Sequence, residues 1–192
     1  MKTHLLPAIK ITLITMVLFG VVYPLFINGI AVIIAPNNGK GEEVMANGRV
    51  VGFELIGQKF DDDRYFNDRP SAVDYNAAST GGSNKGPTNP EYLETVAARI
   101  DTFLIHNPTV SRKDIPVDLV TASGGGLDPH ISPQAALIQV DRISKIRHID
   151  KEQVRRLVSE HIESPILGMG TSRVHVLRLN IAVDQLQSKK VK

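Results

Sequence analysis

The sequence predicts a single N-terminal transmembrane helix followed by one mixed α/β (α+β) extracytoplasmic domain. Three observations predict it. Residues Ile11 to Ala35 carry no charged side chain. The rest of the chain is mostly polar and shows several helix-initiation signals. Between those signals lie short β-branched runs and a long stretch with no periodicity.

The apolar run is 25 residues long, roughly 38 Å at the helical rise of about 1.5 Å per residue, against a hydrocarbon core of about 30 Å. A cleaved signal peptide is the competing reading. Its apolar region spans only about 7–15 residues, and no Ala-x-Ala site follows this run. Cysteine is absent, so lipoprotein processing and disulfides do not arise. Inside the span, Pro24 lacks an N–H and predicts a kink. Asn28 is costly against lipid and predicts a protein or headgroup neighbour. Lys2, Lys10 and the α-amino group precede the span. The sparser Lys40 and Arg49 follow it beside Glu42 and Glu43. That bias predicts a cytoplasmic N-terminus at residues 1–10, a span at 11–35 and an extracytoplasmic domain at 36–192.

The formal net charge is +2, supplied by Lys2 and Lys10. The domain itself is neutral, which argues against an electrostatic footprint for nucleic acid. Its length suits one domain with a real core.

Pro36-Asn-Asn-Gly-Lys-Gly41 reads as a turn-rich exit from the membrane. Arg49 to Phe60 reads as short strands built on Val50, Val51, Phe53, Leu55 and Ile56, with Gly52 and Gly57 as punctuation. Phe60 to Pro90 reads as a long ordered loop, and loops of that length in a compact domain are usually functional. Asn89-Pro90 opens the clearest helix of the domain. Asn89 can cap it, Pro90 fits the first helical position, and Glu91 and Glu94 suit the positive end. Leu93, Val96, Ala97, Ile100 and Leu104 form its apolar stripe, and Asn107-Pro108 ends it. Ser132-Pro133 repeats the device before Ala136, Leu137, Val140 and Ile143. Asp150 with Gln153 resembles a capping box ahead of Val154, Leu157, Val158 and Ile162, and Ser164-Pro165 stops that helix. From Val174 to Val183 the pattern fits a strand or a helix.

Several chemistries can be tested and fail. Gly81-Gly-Ser-Asn-Lys-Gly86 is followed by Pro87, so it is not a P-loop. Gly124-Gly-Gly-Leu-Asp128 meets Pro129 where a dinucleotide fingerprint needs glycine. No Gly-x-Ser-x-Gly elbow surrounds Ser83 or Ser123. The six histidines are scattered, which predicts no metal site. Asp61-Asp-Asp63 begins like a calcium loop, but Tyr65 and Phe66 replace the ligand and the glycine it needs. The chain has neither the Asp-Lys-Thr-Gly motif of a P-type pump nor the Thr-Val-Gly-Tyr-Gly filter of a potassium channel. No catalytic residue is predicted. The alternatives are a membrane-anchored hydrolase using Ser83 or Ser123 with His130, or a sensor domain.

The block Tyr65-Phe-Asn-Asp-Arg-Pro-Ser-Ala72, Tyr75-Asn76, Gly81-Gly-Ser-Asn84 and Gly86-Pro-Thr-Asn-Pro90 resembles a known family. So does Ile115-Pro-Val-Asp-Leu-Val-Thr-Ala-Ser123 with Gly126-Leu-Asp-Pro-His-Ile-Ser132 and Gln139. It is the C subunit of the bacterial Kdp high-affinity potassium-transporting ATPase, and the resemblance covers nearly the whole chain. Gly125, His175 and the pair Asn67-Asp68 depart from the usual pattern. The resemblance implies an accessory subunit of the bacterial plasma (inner) membrane, single-pass and in contact with lipid. Its implied partners are a channel-like potassium-translocating subunit, a P-type ATP-hydrolysing subunit and a small single-span peptide. It also implies a catalytic chaperone that raises ATP affinity of the ATPase subunit. ATP is then met through the complex, with no tightly bound cofactor. Ser123, Gly124, Gly125 and Gly126 loosely resemble a nucleotide-signature loop and are the nucleotide-binding candidates. The partner-interface candidates are Pro24, Asn28, Arg69, Ser79, Gly81, Gly82, Ser83, Asn84, Asp128 and His130.

Overall fold

The computed structural model describes residues 2–165 and 168–190. The chain divides into two units, Met1–Val44 and Met45–Lys192.

The first unit is one long helix with a short exit. α1 (Lys2–Val17) begins ahead of the apolar run and contains Pro7. A π-helical turn, Leu18–Val22, leads into α2 (Tyr23–Ile34). The π-turn answers the sequence expectation at Pro24. That residue has no N–H for the Gly20 carbonyl, and the ladder slips so that Tyr23 N–H donates to Leu18 O instead. The helix His4–Ile34 contains an 18-residue stretch of mean hydropathy 2.4 and is long and apolar enough to cross a membrane. The exit is a 3₁₀ turn at Pro36–Gly39, in which Asn37 and Asn38 hold positive φ (51° and 53°). Asparagine tolerates that region better than most residues.

A hairpin follows in the chain. β1 (Glu43–Ala46) pairs with β2 (Arg49–Phe53) across Asn47-Gly48. Both turn residues have positive φ, 52° and 76°, as a two-residue hairpin turn requires. Leu55 and Ile56, expected as strand, form a turn instead: Ile56 N–H donates to Phe53 O at 3.3 Å. The long loop follows and carries no helix or strand before α3 (Pro90–His106).

Three helices start where the capping signals place them. Asn89 Oδ1 accepts from Tyr92 N at 2.9 Å, Ser132 Oγ from Ala135 N at 3.1 Å, and Asp150 Oδ1 from Glu152 N and Gln153 N. The second and third open α4 (Pro133–Arg147) and α5 (Lys151–Glu160). The α3 stripe is only partly covered: Val96 and Ile100 pack on the core, whereas Leu93 stays exposed. α5 ends at Glu160, earlier than Ser164-Pro165, because His161 N–H closes onto Leu157 O and Val158 O. Ile162 therefore leaves the helix and enters a strand.

β3 (His130–Ile131), β4 (Ile162–Glu163) and β5 (Arg173–His175) form an antiparallel sheet in the order β3-β5-β4. His130 pairs with His175, and Ile162 with Val174. The ambiguous C-terminal pattern resolves into both of its readings, β5 and then α6 (Val176–Lys190). Ala136, Val140 and Ile143 of α4, Val154 and Val158 of α5, Val174 of β5 and Leu179 and Val183 of α6 meet in the buried core with Phe66 from the long loop. Short antiparallel strands beside helices make this body α+β.

Candidate functional site

The long loop is held at both ends of its length by residues distant in sequence. Its first part runs across α4 and α6. Phe66 N–H donates to Asn180 Oδ1 at 2.8 Å, and Asn180 Nδ2 donates back to Phe66 O at 3.0 Å. Gln139 repeats the two-way bond on Asn67, accepting from its N–H at 2.8 Å and donating to its carbonyl at 3.3 Å. Each side-chain amide thus satisfies a backbone donor and acceptor as a neighbouring strand would. Arg142, 5 % exposed, completes the arrangement. It donates to the Asp63 and Tyr65 carbonyls, to Asn67 Oδ1 and Gln139 Oε1, and through Nε to Asn107 Oδ1. Burial pushes its guanidinium down to about 10, opposed by Asp63 and Asp62, so it stays charged at neutral pH. Arg147 donates to the Arg64 carbonyl at 2.6 Å and lies over the Tyr65 ring at 4.6 Å.

The second part meets the glycine loop 123–128. Gly81 N–H donates to Gly125 O at 3.1 Å, Thr80 Oγ1 to the same carbonyl at 3.2 Å, and Ser71 Oγ to Gly126 O at 2.7 Å. Gly126 has φ +73°, and a Cβ there would come within 2.8 Å of Val73 Cγ2 and 3.0 Å of Gly81 O. Gly82 is required differently. Its φ is not positive, but a Cβ would stand 3.0 Å from Gly124 O. A close backbone approach, rather than a left-handed conformation, calls for glycine at that position.

A charged clasp closes beside these contacts. Arg69 Nη1 pairs with Asp128 Oδ2 at 3.1 Å, and His130 approaches Asp128 Oδ1 through its backbone N–H at 3.1 Å and Nδ1 at 3.3 Å. Burial pushes the Asp128 carboxyl up. The His130 hydrogen bonds and the Arg69 charge outweigh it and hold the group below its usual value. Tyr75 OH donates to Arg69 O at 2.5 Å, and burial, helped by Asp68 and other nearby carboxylates, raises the phenol well above its normal range. A cleft of about 460 Å³ opens here, lined among others by Arg69, Asp118, Asp128, His130, Ser132 and Arg173.

The structure brings together most candidates that the sequence singled out. Arg69, Gly81, Gly82, Asp128 and His130 converge with Ser123–Gly126. Ser79 closes a turn onto Asn76 O, and Ser83 and Asn84 lie exposed at the loop tip. Pro24 and Asn28 lie on α2, in the other unit. Ser123 is 4 % exposed, and the His130 ring nitrogens face Asp128 and Glu163 rather than Ser83 or Ser123. Loop 123–126 is itself a turn, closed by Gly126 N–H onto Ser123 O at 3.3 Å, and its last two carbonyls face Ser71, Thr80 and Gly81. Sequence reasoning missed Asn180, Arg142 and Arg147, and gave Gln139 no role. Their signal was present: each is a polar residue set within or against an apolar helical stripe, where burial demands a partner.

Comparison with known proteins supplies the family. The family model of the K+-transporting ATPase c chain, KdpC, matches residues 5–185. A protein of Flavobacterium johnsoniae named potassium-transporting ATPase KdpC subunit is 56 % identical over 184 residues, 96 % of this chain and 99 % of that protein. One of the same name from Bacteroides fragilis is 52 % identical over 192 residues, covering 98 % of this chain and all of its own length. Another, from Caldanaerobacter subterraneus, is 50 % identical over 176 residues, 91 % of each chain.

Proposed function

The chain belongs to the KdpC family, the c chains of K+-transporting ATPases, and from that premise we propose that it is the non-catalytic accessory subunit of an ATP-driven, high-affinity potassium uptake complex. Its work there is binding. The observation that carries this reading is the joined pair of loops. Residues 65–84 and 123–130 are stitched by backbone, hydroxyl and charged contacts into one ordered surface, with Ser83 and Asn84 at its tip. A surface ordered in advance binds a partner at lower entropic cost. The partners in this reading are the channel-like potassium-translocating subunit, the P-type ATP-hydrolysing subunit and the small single-span peptide.

In this reading α1 and α2 cross the bacterial inner membrane once and the second unit lies outside the cytoplasm. The nucleotide site of the complex is then on the opposite face. An effect of this subunit on ATP affinity is consequently allosteric, carried by the span or by contacts to the outer face of the pore subunit. The role of loop 123–126 in this scheme is to hold loop 71–84 in place, and nucleotide is met only through the complex.

Deletion and complementation test the proposal. Cells lacking the chain lose ATP-driven potassium uptake and growth at micromolar potassium. Complementation with the full chain restores both, and the purified chain alone hydrolyses no ATP. Undiminished growth without the chain, or turnover by the chain alone, would overturn it.

A further inference from the structure

Asp68 is a buried carboxyl with half its hydrogen-bonding capacity unused. The residue is 7 % exposed. Oδ1 accepts from the Arg69 backbone amide at 2.8 Å, while Oδ2 is sealed from solvent and has no hydrogen-bond partner. The backbone of Gly57 closes over it. A Cβ at Gly57 would stand 3.1 Å from Asp68 Oδ2 and 2.7 Å from the Asp128 carbonyl, and Gly57 N–H donates to Leu127 O at 2.8 Å. An ionised carboxylate in such a place pays for desolvation without the three or four donors it would have in water.

The groups around Asp68 do not supply the missing partner. On its own segment Arg69 Nη1 is engaged with Asp128, while Arg69 Nε is itself buried without a hydrogen-bond partner, and Tyr75 OH donates to Arg69 O. From the glycine loop comes Asp128, a like charge whose other neighbour is His130. Beside Gly57, the Gln58 amide favours the charged form without reaching Oδ2 in a normal hydrogen bond. On the α3 side a cleft of about 530 Å³ holds Asp68 with Asp61, Asp63, Arg99 and His106 on its walls. Arg99 there donates to Val120 O, and His106 pairs with Asp63.

We propose that Asp68 is a proton-binding site that sets the tightness of the clasp between loop 71–84 and loop 123–130. With its proton, Asp68 is neutral and Arg69 serves Asp128 alone. Without it, a second negative charge stands beside Asp128, competes for Arg69 and loosens the contact of the two loops. Burial, then the Asp128 charge, pushes the Asp68 carboxyl up to about 7, against the opposing pull of the Arg69 and Gln58 amides and the Arg69 charge. The sign follows from linkage. A carboxyl raised in the folded state contributes stability that is fully present below its unfolded value of 3.8 and is lost as pH rises through about 7.

The test uses the full-length chain in detergent micelles. Exchange of the Gly81 amide, bonded to Gly125 O, is followed from about pH 6 to 8 and corrected for base catalysis, beside the carboxyl carbon resonance of Asp68. The expected result is a roughly tenfold loss of Gly81 protection over that range, one pKa unit of coupling, and a flat profile in Asp68→Asn. The carboxyl resonance should titrate with a midpoint near neutrality. A midpoint below about pH 5, or the same protection profile in parent and variant, overturns the proposal. Should Asp68→Asn not fold, the titration of the parent decides alone.

Discussion

The two halves of the long loop are held by opposite means. From Asp63 to Asn67 the chain is pinned by long polar side chains, Arg142, Gln139 and Asn180, reaching up from α4 and α6 to backbone groups. From Ser71 to Gly82 it is held by close backbone approach, where glycines let two loops touch. The first half belongs to the core: Phe66 is fully buried among the helices. The second lies at the surface with its tip exposed. The difference teaches where each half is vulnerable. Removing a pin from the first leaves several buried groups without partners, a cost borne by the whole domain. Adding an atom to the second forces two surfaces apart locally and spares the core.

The largest effect should come from Arg142→Met. Its side chain is 2 % exposed, and its loss strands the Tyr65 and Asp63 carbonyls and the Oδ1 atoms of Asn67 and Asn107, and takes one of two donors from Gln139 Oε1. Breaking a buried charged network of this kind costs about 3–5 kcal/mol. Denaturant unfolding of the chain in micelles should show that loss, with Arg142→Lys intermediate because an ammonium cannot fork between the same acceptors. An Arg142→Met variant as stable as the parent would erase the distinction between the two halves.

A smaller, local effect should follow from Gly126→Ala. An L-residue at φ +73° carries about 1–2 kcal/mol of backbone strain. The new Cβ would also press on the Gly81 carbonyl and the Val73 methyl. Gly82→Ala meets only the Gly124 carbonyl, with no positive φ, and should cost less than Gly126→Ala. Both should speed exchange of the Gly81 amide more than they lower the unfolding midpoint. Equal effects of the two substitutions would show that close approach, and not φ, governs this half.

How much of this was legible in the sequence follows the same division. Helix starts were legible because their chemistry is local: Asn89-Pro90, Ser132-Pro133 and Asp150 each cap the helix that follows them. The apolar span needed only its length and composition. The two- and three-residue strands β3, β4 and β5 were not legible as a sheet, since nothing within so few residues specifies a partner that lies 10 to 45 positions away. The glycine motifs could be picked out as special turns, yet their contact across the loops is a tertiary fact. Asn180 and Arg142 lay inside otherwise apolar helical patterns, where a lone polar residue announces a buried partner but not which one.

The smallest effect should belong to Lys85, and it bears on whether the second half has another support. Lys85 Nζ pairs with Glu91 Oε2 at 2.6 Å, linking the loop tip to the first turn of α3. By distance it is among the shortest ion pairs in the domain, and a reading by distance alone would rank it with the Arg142 contacts. Exposure argues otherwise: the Lys85 and Glu91 side chains are 40 % and 76 % exposed. Water screens such a pair, and ordering two long side chains offsets most of the attraction. Asn89 already caps α3 by itself. Lys85→Ala should therefore leave both the unfolding midpoint and Gly81 exchange unchanged, at low salt as at high. A loss of Gly81 protection that appears only at low salt would assign the outer half of the loop an electrostatic support, and glycine contact would no longer suffice to explain its order.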